Sequence, residues 1–317
     1  MSVDPTSPGA PDSAAALVDG PWEHRLVAAN GARFHLAVAG SGPLVLLLHG
    51  FPQFWWTWRH QLPALAEAGY RVAALDLRGF GASDKPPGGY DPLTVCDDVA
   101  AIIRSLGASQ ACVIGHGLGG AIAWSMPGIH PEVTAAIGVI GMPHPAVFRS
   151  AVWRPGHRGA RRYVRALQRP APASGGRSAQ AEVGTVPRYL REWSGSDQRW
   201  ITPEVQQRYC EMIAVPFASH AATEYHRWVM RSRFTPNGLR YMRRVRPGIT
   251  VPVLSVHGQA DPAIPAALSR DSASHVTGPL QLVAIPEVGH FAHEEAPDQV
   301  NDVITRWLSA TLPPTLP

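Results

Sequence analysis

Short apolar runs recur along the chain, and most of them are followed by a segment with helical spacing. Residues 43–49, 71–77, 111–115 and 133–140 are rich in aliphatic side chains throughout, which is typical of strands buried on both faces of a sheet. Segments between them, such as 93–106, repeat apolar positions every three to four residues, which predicts helices. This alternation predicts βα units on a parallel sheet, whose strand ends and following loops meet along one edge.

Three further features complete the predicted architecture. Residues 22–40 predict a β-hairpin around Asn30-Gly31, a favoured two-residue turn. From residue 143 to 238 the alternation stops, and a helical segment rich in Arg, Trp and Tyr predicts a cap inserted over the sheet edge. The alternating pattern then returns, with strands over 251–257 and 280–285 and a closing helix over 296–312.

We therefore predict an α/β protein with a mostly parallel central sheet, helices on both faces and an inserted helical cap. The expected units are a disordered tail, a first part of the core, the cap and a second part of the core, over residues 1–20, 21–142, 143–238 and 239–317. The tail is predicted because residues 1–20 are rich in Pro, Ser, Gly and Ala. They lack the basic start and apolar stretch of a signal peptide, which favours the cytoplasm.

Composition narrows the classes of function. The chain has 317 residues, 45% of them apolar, and no apolar run approaches the roughly 18–20 residues of a membrane span. Cys96, Cys112 and Cys210 show neither paired nor metal-ligand spacing, so we expect no disulfide and no metal site. A net charge of +4 is too modest to indicate nucleic acid. We expect a small-molecule substrate or ligand and no cofactor, and the oligomeric state stays open.

The strongest chemical signal is the glycine-rich turn Gly115-His116-Gly117-Leu118-Gly119-Gly120, which follows a predicted strand and opens a helix. This is the setting of a nucleophile elbow, where glycines permit a sharp bend and the central residue projects into the site. Residue 117 takes the central place, but glycine offers no attacking atom. The N–H of Leu118 is expected to face an oxyanion. A nucleotide-binding loop is disfavoured, because these glycines do not open a first βα unit and no acid follows at the distance expected for a ribose contact.

The remaining parts of a hydrolase site follow other predicted strands. Phe51 follows the strand over 43–49 and is expected to supply a second oxyanion N–H, and Trp55 just beyond it is a candidate pocket residue. Asp261 and His290 follow the two late strands. The nucleophile position, the acid and the histidine therefore come in the chain order that accompanies a nucleophile elbow. A histidine oriented by a carboxylate is a common general base.

With these motifs, residues 22 to 312 resemble the epoxide hydrolase branch of the α/β-hydrolases, which is related to the haloalkane dehalogenases. The motifs that carry the resemblance are His49-Gly-Phe-Pro, Asp76-Leu-Arg-Gly-Phe-Gly-Ala-Ser-Asp-Lys-Pro, Met142-Pro-His-Pro and Gly289-His-Phe-Ala-His-Glu-Glu-Ala-Pro. The resemblance implies that an aspartate attacks an epoxide carbon while two cap tyrosines polarise the epoxide oxygen. A histidine–acid pair then activates water to hydrolyse the ester.

Carried over residue by residue, the resemblance makes His290 the base and Asp261 its orienting acid. Tyr163 matches the first cap tyrosine through its spacing from a Gln-x-Pro motif, and Tyr225 or His226 stands near the place of the second. At the elbow the family has His-Asp-Trp-Gly-Gly. This chain therefore lacks both the aspartate and the tryptophan beside it.

Glycine at position 117 leaves three hypotheses for function. In the first, His290 and Asp261 activate a water that attacks a small apolar epoxide or ester in one step. In the second, the site is a small-molecule pocket on a catalytically degenerate scaffold. In the third, the histidine is the base of a cofactor-free lyase or oxygenase. A covalent mechanism through residue 117 is excluded, because glycine has no side chain to form the intermediate.

Overall fold

An eight-stranded sheet forms the core of the protein in a computed structural model that describes residues 11–153 and 183–314. The strands lie in the order β1-β2-β4-β3-β5-β6-β7-β8, with β1, β2 and β4 paired antiparallel and all other neighbours parallel. Their bounds are β1 Glu23–Ala29, β2 Ala32–Ala39, β3 Leu44–Leu48, β4 Arg71–Leu75, β5 Ala111–His116, β6 Thr134–Ile140, β7 Val253–Gly258 and β8 Leu280–Ile285. The predicted α/β-hydrolase architecture with a mostly parallel sheet is confirmed.

Helices connect the strands and form a layer on each face of the sheet. In the described ranges they are α1 Gln61–Glu67, α2 Pro92–Ser105, α3 Gly117–Ile129, α4 Pro145–Trp153, α5 Val186–Trp193, α6 Pro203–Ala214, α7 Ala218–Arg231, α8 Pro236–Val245, α9 Ala267–Asp271, α10 Ala292–Glu295 and α11 Pro297–Thr311. The helix α1 packs with α11, whereas α2 packs with α3, which gives the two layers. None of the helices within these ranges combines the length and apolarity needed to cross a membrane.

The predicted hairpin at the start of the sheet is present. Asn30 and Gly31 both have positive φ, 44° and 74°, as a two-residue turn of this hand requires. The strand β2 continues from this turn and pairs with β4, which joins the antiparallel hairpin to the parallel part of the sheet.

The parallel direction of β3, β5, β7 and β8 brings the segments that follow these strands to one edge of the sheet. These segments begin at the carboxyl ends of their strands, where α/β proteins usually bind ligands. They carry Phe51, Gly117, Asp261 and His290, so residues far apart in sequence share one site.

The described helices between β6 and β7 occupy the place predicted for the cap. Two of them, α5 and α7, pack against α6, whereas α8 packs against α3 and α4. The predicted cap boundary at residue 238 falls inside α8, which extends over Pro236–Val245. The last helix of the insertion therefore contacts the core helix α3 as well as α4 of the insertion. Tyr163 lies outside the described residues.

Residues 12–18 are packed against the protein, so the predicted disordered tail does not extend over them. A 3-10 helix over Ser13–Ala16 is capped by the Asp12 side chain and contacts α6. Ala16 is fully buried, and its carbonyl accepts a hydrogen bond from the indole N–H of Trp55 at 2.7 Å. Composition alone misses this order because the partners come from the core.

Trp55 belongs to this packing rather than to the substrate pocket for which the sequence made it a candidate. Its side chain is fully buried, and its backbone N–H donates to Oδ1 of Asp76 at 2.9 Å. Its ring packs edge-on against the rings of Trp22 and His35. Trp55 therefore fixes the N-terminal segment beneath the loop that follows β3.

Replacement of Trp55 by phenylalanine tests this structural role. Trp55→Phe removes the buried donor and leaves the Ala16 carbonyl unsatisfied, so the free energy of unfolding is expected to fall by about 1–3 kcal/mol. Chemical denaturation measures the loss. The control Leu17→Ala changes a side chain that is 46% exposed and should cost less than about 0.5 kcal/mol. Equal stability of the two variants would contradict the role.

Candidate active site

Gly117 stands at the sharp turn from β5 into α3. Its φ is +50°, in the left-handed region that glycine adopts with little strain. A Cβ atom built on Gly117 would lie 3.6 Å from Nε2 of His290 and 3.7 Å from Cα of Gly50, which is ordinary van der Waals contact. Position 117 therefore points at the imidazole and has room for the start of a side chain.

The neighbouring Gly119 has no such room. A Cβ atom at Gly119 would lie 2.2 Å from the carbonyl oxygen of Leu48 at the end of β3. The N–H of Gly119 also donates to the carbonyl of His49 at 3.1 Å. Glycine is needed here because the first turn of α3 passes directly against the loop that carries Phe51.

Asp261 and His290 form a buried pair at the ends of β7 and β8. Nδ1 of His290 lies 2.8 Å from Oδ2 of Asp261, and the N–H groups of Ala263 and Ile264 both donate to Oδ1 at 2.8 Å. Since the carboxylate accepts a proton donated from Nδ1, the neutral ring presents Nε2 as its acceptor nitrogen. The structure thus brings together the three positions predicted from sequence: 117, 261 and 290.

A second histidine on the same carboxylate was not predicted from the sequence. Nε2 of His257 lies 3.2 Å from Oδ2 of Asp261, and its Nδ1 lies 2.6 Å from the Ser269 hydroxyl. Burial would raise the pKa of Asp261, but the charges and hydrogen bonds of His290 and His257 oppose it and hold that pKa well below its usual range. Asp261 is therefore anionic. A histidine at the end of a strand is too common to signal this role.

The expected oxyanion donors, the N–H groups of Leu118 and Phe51, belong to segments that follow neighbouring strands at the same sheet edge. Leu118 is in the first turn of α3, where backbone N–H groups have no partner within the helix and the helix dipole is positive. Phe51 follows β3, and its ring packs edge-on against His226 of the cap at 5.5 Å between centroids. The roles of the two N–H groups stay predictions.

His116 makes a hydrogen bond to the main chain of His290. Its Nε2 lies 3.0 Å from the carbonyl oxygen of His290, which can only accept, so Nε2 carries the proton. Burial, aided by the nearby His290, lowers the pKa of His116 well below its usual value. His116 is thus a neutral structural donor, and the ring of His293 packs on it at 4.4 Å between centroids.

An apolar cavity of about 80 Å³ adjoins the elbow at Leu118. A single buried water needs roughly 10–15 Å³, so this cavity accommodates a small organic group. The cavity lies between α3 and the helices of the insertion, and residues from both line it, among them Leu118, Ile122, Met142, Phe148, Tyr225 and Trp228.

Tyr225 and His226 both line this cavity, as the sequence predicted for pocket residues. The hydroxyl of Tyr225 donates to the Arg78 carbonyl at 3.0 Å, and Nδ1 of His226 lies 2.6 Å from the Ala222 carbonyl. Burial lowers the pKa of His226 to about 4. These two side chains therefore add neutral surface to the cavity, with the named polar atoms engaged by backbone carbonyls.

In the described part of the chain, no group of three or more His, Cys, Asp or Glu side chains has an arrangement that would hold a metal ion. The described site contains the His290–Asp261 pair and, beside the elbow, an apolar cavity. This set is suited to moving a proton at Nε2 of His290 beside an apolar ligand.

This sheet order, with a histidine–carboxylate pair at the strand ends, is that of the α/β-hydrolase fold. The sequence profile described as the alpha/beta hydrolase fold matches residues 43–297, and the chain belongs to this family, among its epoxide hydrolase-like members. It is similar to Epoxide hydrolase 4 of Mus musculus, with 31% identity over 302 residues that cover 88% of this chain and 77% of the relative.

Two further relatives cover nearly the whole chain. Epoxide hydrolase A of Mycobacterium tuberculosis (strain ATCC 25618 / H37Rv) is 30% identical over 318 residues, which cover 90% of this chain and 97% of the relative. The solved structure of an epoxide hydrolase from an endophytic Streptomyces has 29% identity and a TM-score of 0.76, covering 92% of this chain and 96% of that chain. The predicted resemblance to epoxide hydrolases is confirmed at the level of the family.

The buried, neutral state of His226 predicts how stability depends on pH. The folded protein resists protonation of His226 down to pH about 4, whereas the unfolded chain takes up the proton near pH 6.5. The unfolded state therefore binds more protons between these values, and stability falls as the pH is lowered through this window, by up to about 3 kcal/mol from this residue. His226→Gln should flatten the dependence measured by chemical denaturation. An unchanged slope would contradict it.

Proposed function

We propose that the protein is an epoxide hydrolase-like enzyme in which His290 and Asp261 activate a water for direct attack on a small apolar epoxide or ester. One observation supports this most strongly: Nε2 of His290 lies 3.6 Å from the place of a Cβ atom at Gly117. A water that lies beyond the Cβ position, where the end of a longer side chain would be, can come within hydrogen-bond reach of Nε2.

The first step moves one proton and forms one bond. Nε2 of His290 accepts a proton from the water while the water oxygen bonds to the electrophilic carbon. Asp261 keeps its charge and stabilises the imidazolium that forms. A positioned general base contributes about 10²–10⁴-fold to such a step.

The bond that breaks depends on the substrate. With an epoxide, the C–O bond of the ring opens, its oxygen takes a proton from solvent water to give a diol, and the imidazolium releases its proton to the solvent. With an ester, the carbonyl oxygen becomes an oxyanion facing the N–H groups of Phe51 and Leu118, and the imidazolium returns its proton to the departing alkoxide. Water supplies both the added oxygen and the protons, so no cofactor is required.

The cavity supports an apolar substrate. Its wall beside Leu118 is built from aliphatic and aromatic side chains, and the hydroxyl of Tyr225 already donates to a backbone carbonyl. A hydrocarbon substituent gains from burial there without leaving a polar group unsatisfied. Charged or strongly polar substrates would lose their hydration in return for few polar partners, of which the lining offers Arg149 and Ser232.

Installing the missing carboxylate tests the site most sharply. Gly117→Asp is expected to hydrolyse styrene oxide through a covalent ester, because Asp at this position faces both the substrate space and His290. Intact-protein mass spectrometry should detect an adduct of the epoxide's mass, which accumulates when His290→Gln is added to Gly117→Asp. The matched control Gly117→Asn should form no ester.

The unaltered chain provides the test of the one-step mechanism. Hydrolysis of styrene oxide or 4-nitrophenyl acetate should fall by about 10²–10⁴-fold in His290→Ala. Equal rates for the two proteins would overturn the proposed mechanism. Tight binding of apolar ligands without turnover would favour the binding-protein hypothesis, and oxygen consumption or carbon–carbon cleavage would favour the lyase or oxygenase.

Leu118→Trp tests whether the substrate binds in this cavity. A tryptophan at the wall should fill much of the space of about 80 Å³ and weaken binding of a small aromatic ligand such as toluene by at least about tenfold. Ligand-detected NMR measures the affinity. Leu118→Met conserves volume and serves as the control. Unchanged binding in the tryptophan variant would place the ligand elsewhere.

A further inference from the structure

A single carboxylate holds the main chain on both sides of His290 and a loop of the insertion as well. Oε2 of Glu295 accepts hydrogen bonds from the N–H groups of Gly289 and Gly195, both at 2.8 Å. Oε1 accepts from the N–H of Phe291 at 3.0 Å. Gly289 and Phe291 flank His290, whereas Gly195 lies in the loop after α5. Glu295 therefore joins the histidine loop to the insertion through three backbone donors.

The main chain of His290 itself is also held by the insertion. Its N–H donates to the carbonyl of Trp193, the last residue of α5, at 2.8 Å. The indole ring of Trp193 lies edge-on to the imidazole at 5.9 Å between centroids and stacks on Phe291 at 6.3 Å. The insertion thus contacts both the backbone and the ring of the proposed base.

The two segments meet with almost no space between their backbones. A Cβ atom at Gly195 would lie 2.1 Å from the carbonyl oxygen of Glu287, and one at Gly289 would lie 2.3 Å from the amide nitrogen of Gly195. Contacts this close transmit a displacement of one segment to the other, since packed interiors are poorly compressible.

We propose that Glu295 is a positioning residue for His290. Through its hydrogen bonds, the position of the imidazole is coupled to the segment Trp193–Gly195. Because the role concerns the proposed base, this inference rests on the proposed function. Asp261 fixes Nδ1 from the side of β7, and Glu295 fixes the backbone of the same residue from the insertion. Together they determine the direction of Nε2 toward position 117.

Glu295 matters for function because proton transfer requires accurate placement of the base. A base must stand within hydrogen-bond reach of the water it activates, and active-site groups need placement to about 0.5 Å. Asp261 limits the rotation of the His290 ring, and the backbone contacts of His290 help to set the position of that ring. Loss of the Glu295 carboxylate should therefore misplace Nε2 without removing any atom of the pair.

The adjacent Glu294 offers a matched control. Its buried carboxylate also joins the core to the insertion, since it accepts a hydrogen bond from the Tyr209 hydroxyl of α6 and pairs with Arg59 at 2.8 Å. It accepts a further hydrogen bond from Thr57 at 2.8 Å. None of these partners is a backbone group beside His290. Glu294→Gln therefore removes a comparable buried charge without loosening the histidine loop directly.

The experiment compares Glu295→Gln, Glu294→Gln and the unaltered protein by two measurements. Proton NMR observes the low-field Nδ1–H resonance of His290 against Asp261, identified by its absence in His290→Gln. Hydrogen exchange measures the amides of Gly195, Gly289 and Phe291. In Glu295→Gln we expect loss of the resonance and roughly tenfold faster exchange of at least one of these amides. Glu294→Gln should retain the resonance.

Each other outcome has a definite meaning. A retained resonance with unchanged exchange in Glu295→Gln, or equal changes in both variants, would overturn the positioning role. If Glu295→Gln is too unstable to purify, Glu295→Asp keeps the charge but withdraws it by one methylene, and the same loss is expected. Neither measurement needs turnover. A failed hydrolysis assay with a positive result here would therefore reject the proposed function but not the positioning.

Discussion

The hydrogen bond between Nδ1 of His290 and the buried carboxylate of Asp261 is the interaction on which the rest of the site depends. It sets the tautomer of the imidazole, and it turns Nε2 toward the elbow. The carboxylate can do this because two backbone N–H groups hold its other oxygen. Without that bond, the turn at Gly117 and the adjoining cavity would face a side chain of undefined orientation.

The second constraint is the close approach of backbones around this pair. Glycines at 119, 195 and 289 stand where any Cβ atom would overlap a neighbouring chain. Gly117 is different, because a Cβ atom there would meet its neighbours at ordinary van der Waals distances of 3.6 and 3.7 Å. The glycines around the site therefore serve packing, whereas the one at the elbow leaves a space. On our proposal, that space is what changes a covalent mechanism into one driven by water.

Much of the core could be predicted from the sequence because its signals are local. Continuous apolar runs such as Leu44–Leu48 mark buried strands, and the spacing of glycines around residue 117 marks the elbow. The order of positions 117, 261 and 290 then follows from the fold. These three positions lie close together in the structure, as predicted, because the parallel strands that precede them end at one edge of the sheet.

The features that the sequence did not predict depend on contacts between distant segments. Glu295 accepts from Gly195, 100 residues away, and no periodicity signals that pairing. The packing of Ala16 on Trp55 likewise spans the N-terminal segment and the core, so a tail of low complexity proved ordered over residues 12–18. Hydrogen bonds of this kind are decided by tertiary proximity, which composition and spacing do not encode.

The central claim is that position 117 faces the imidazole held by Asp261. A crystal structure of Gly117→Ala tests it directly, since the added methyl group reports the direction of the missing side chain. We expect the alanine Cβ to lie about 3.6 Å from Nε2 of His290, with Nδ1 still on Asp261. A methyl group directed away from the imidazole, or a ring turned off the carboxylate, would contradict the account.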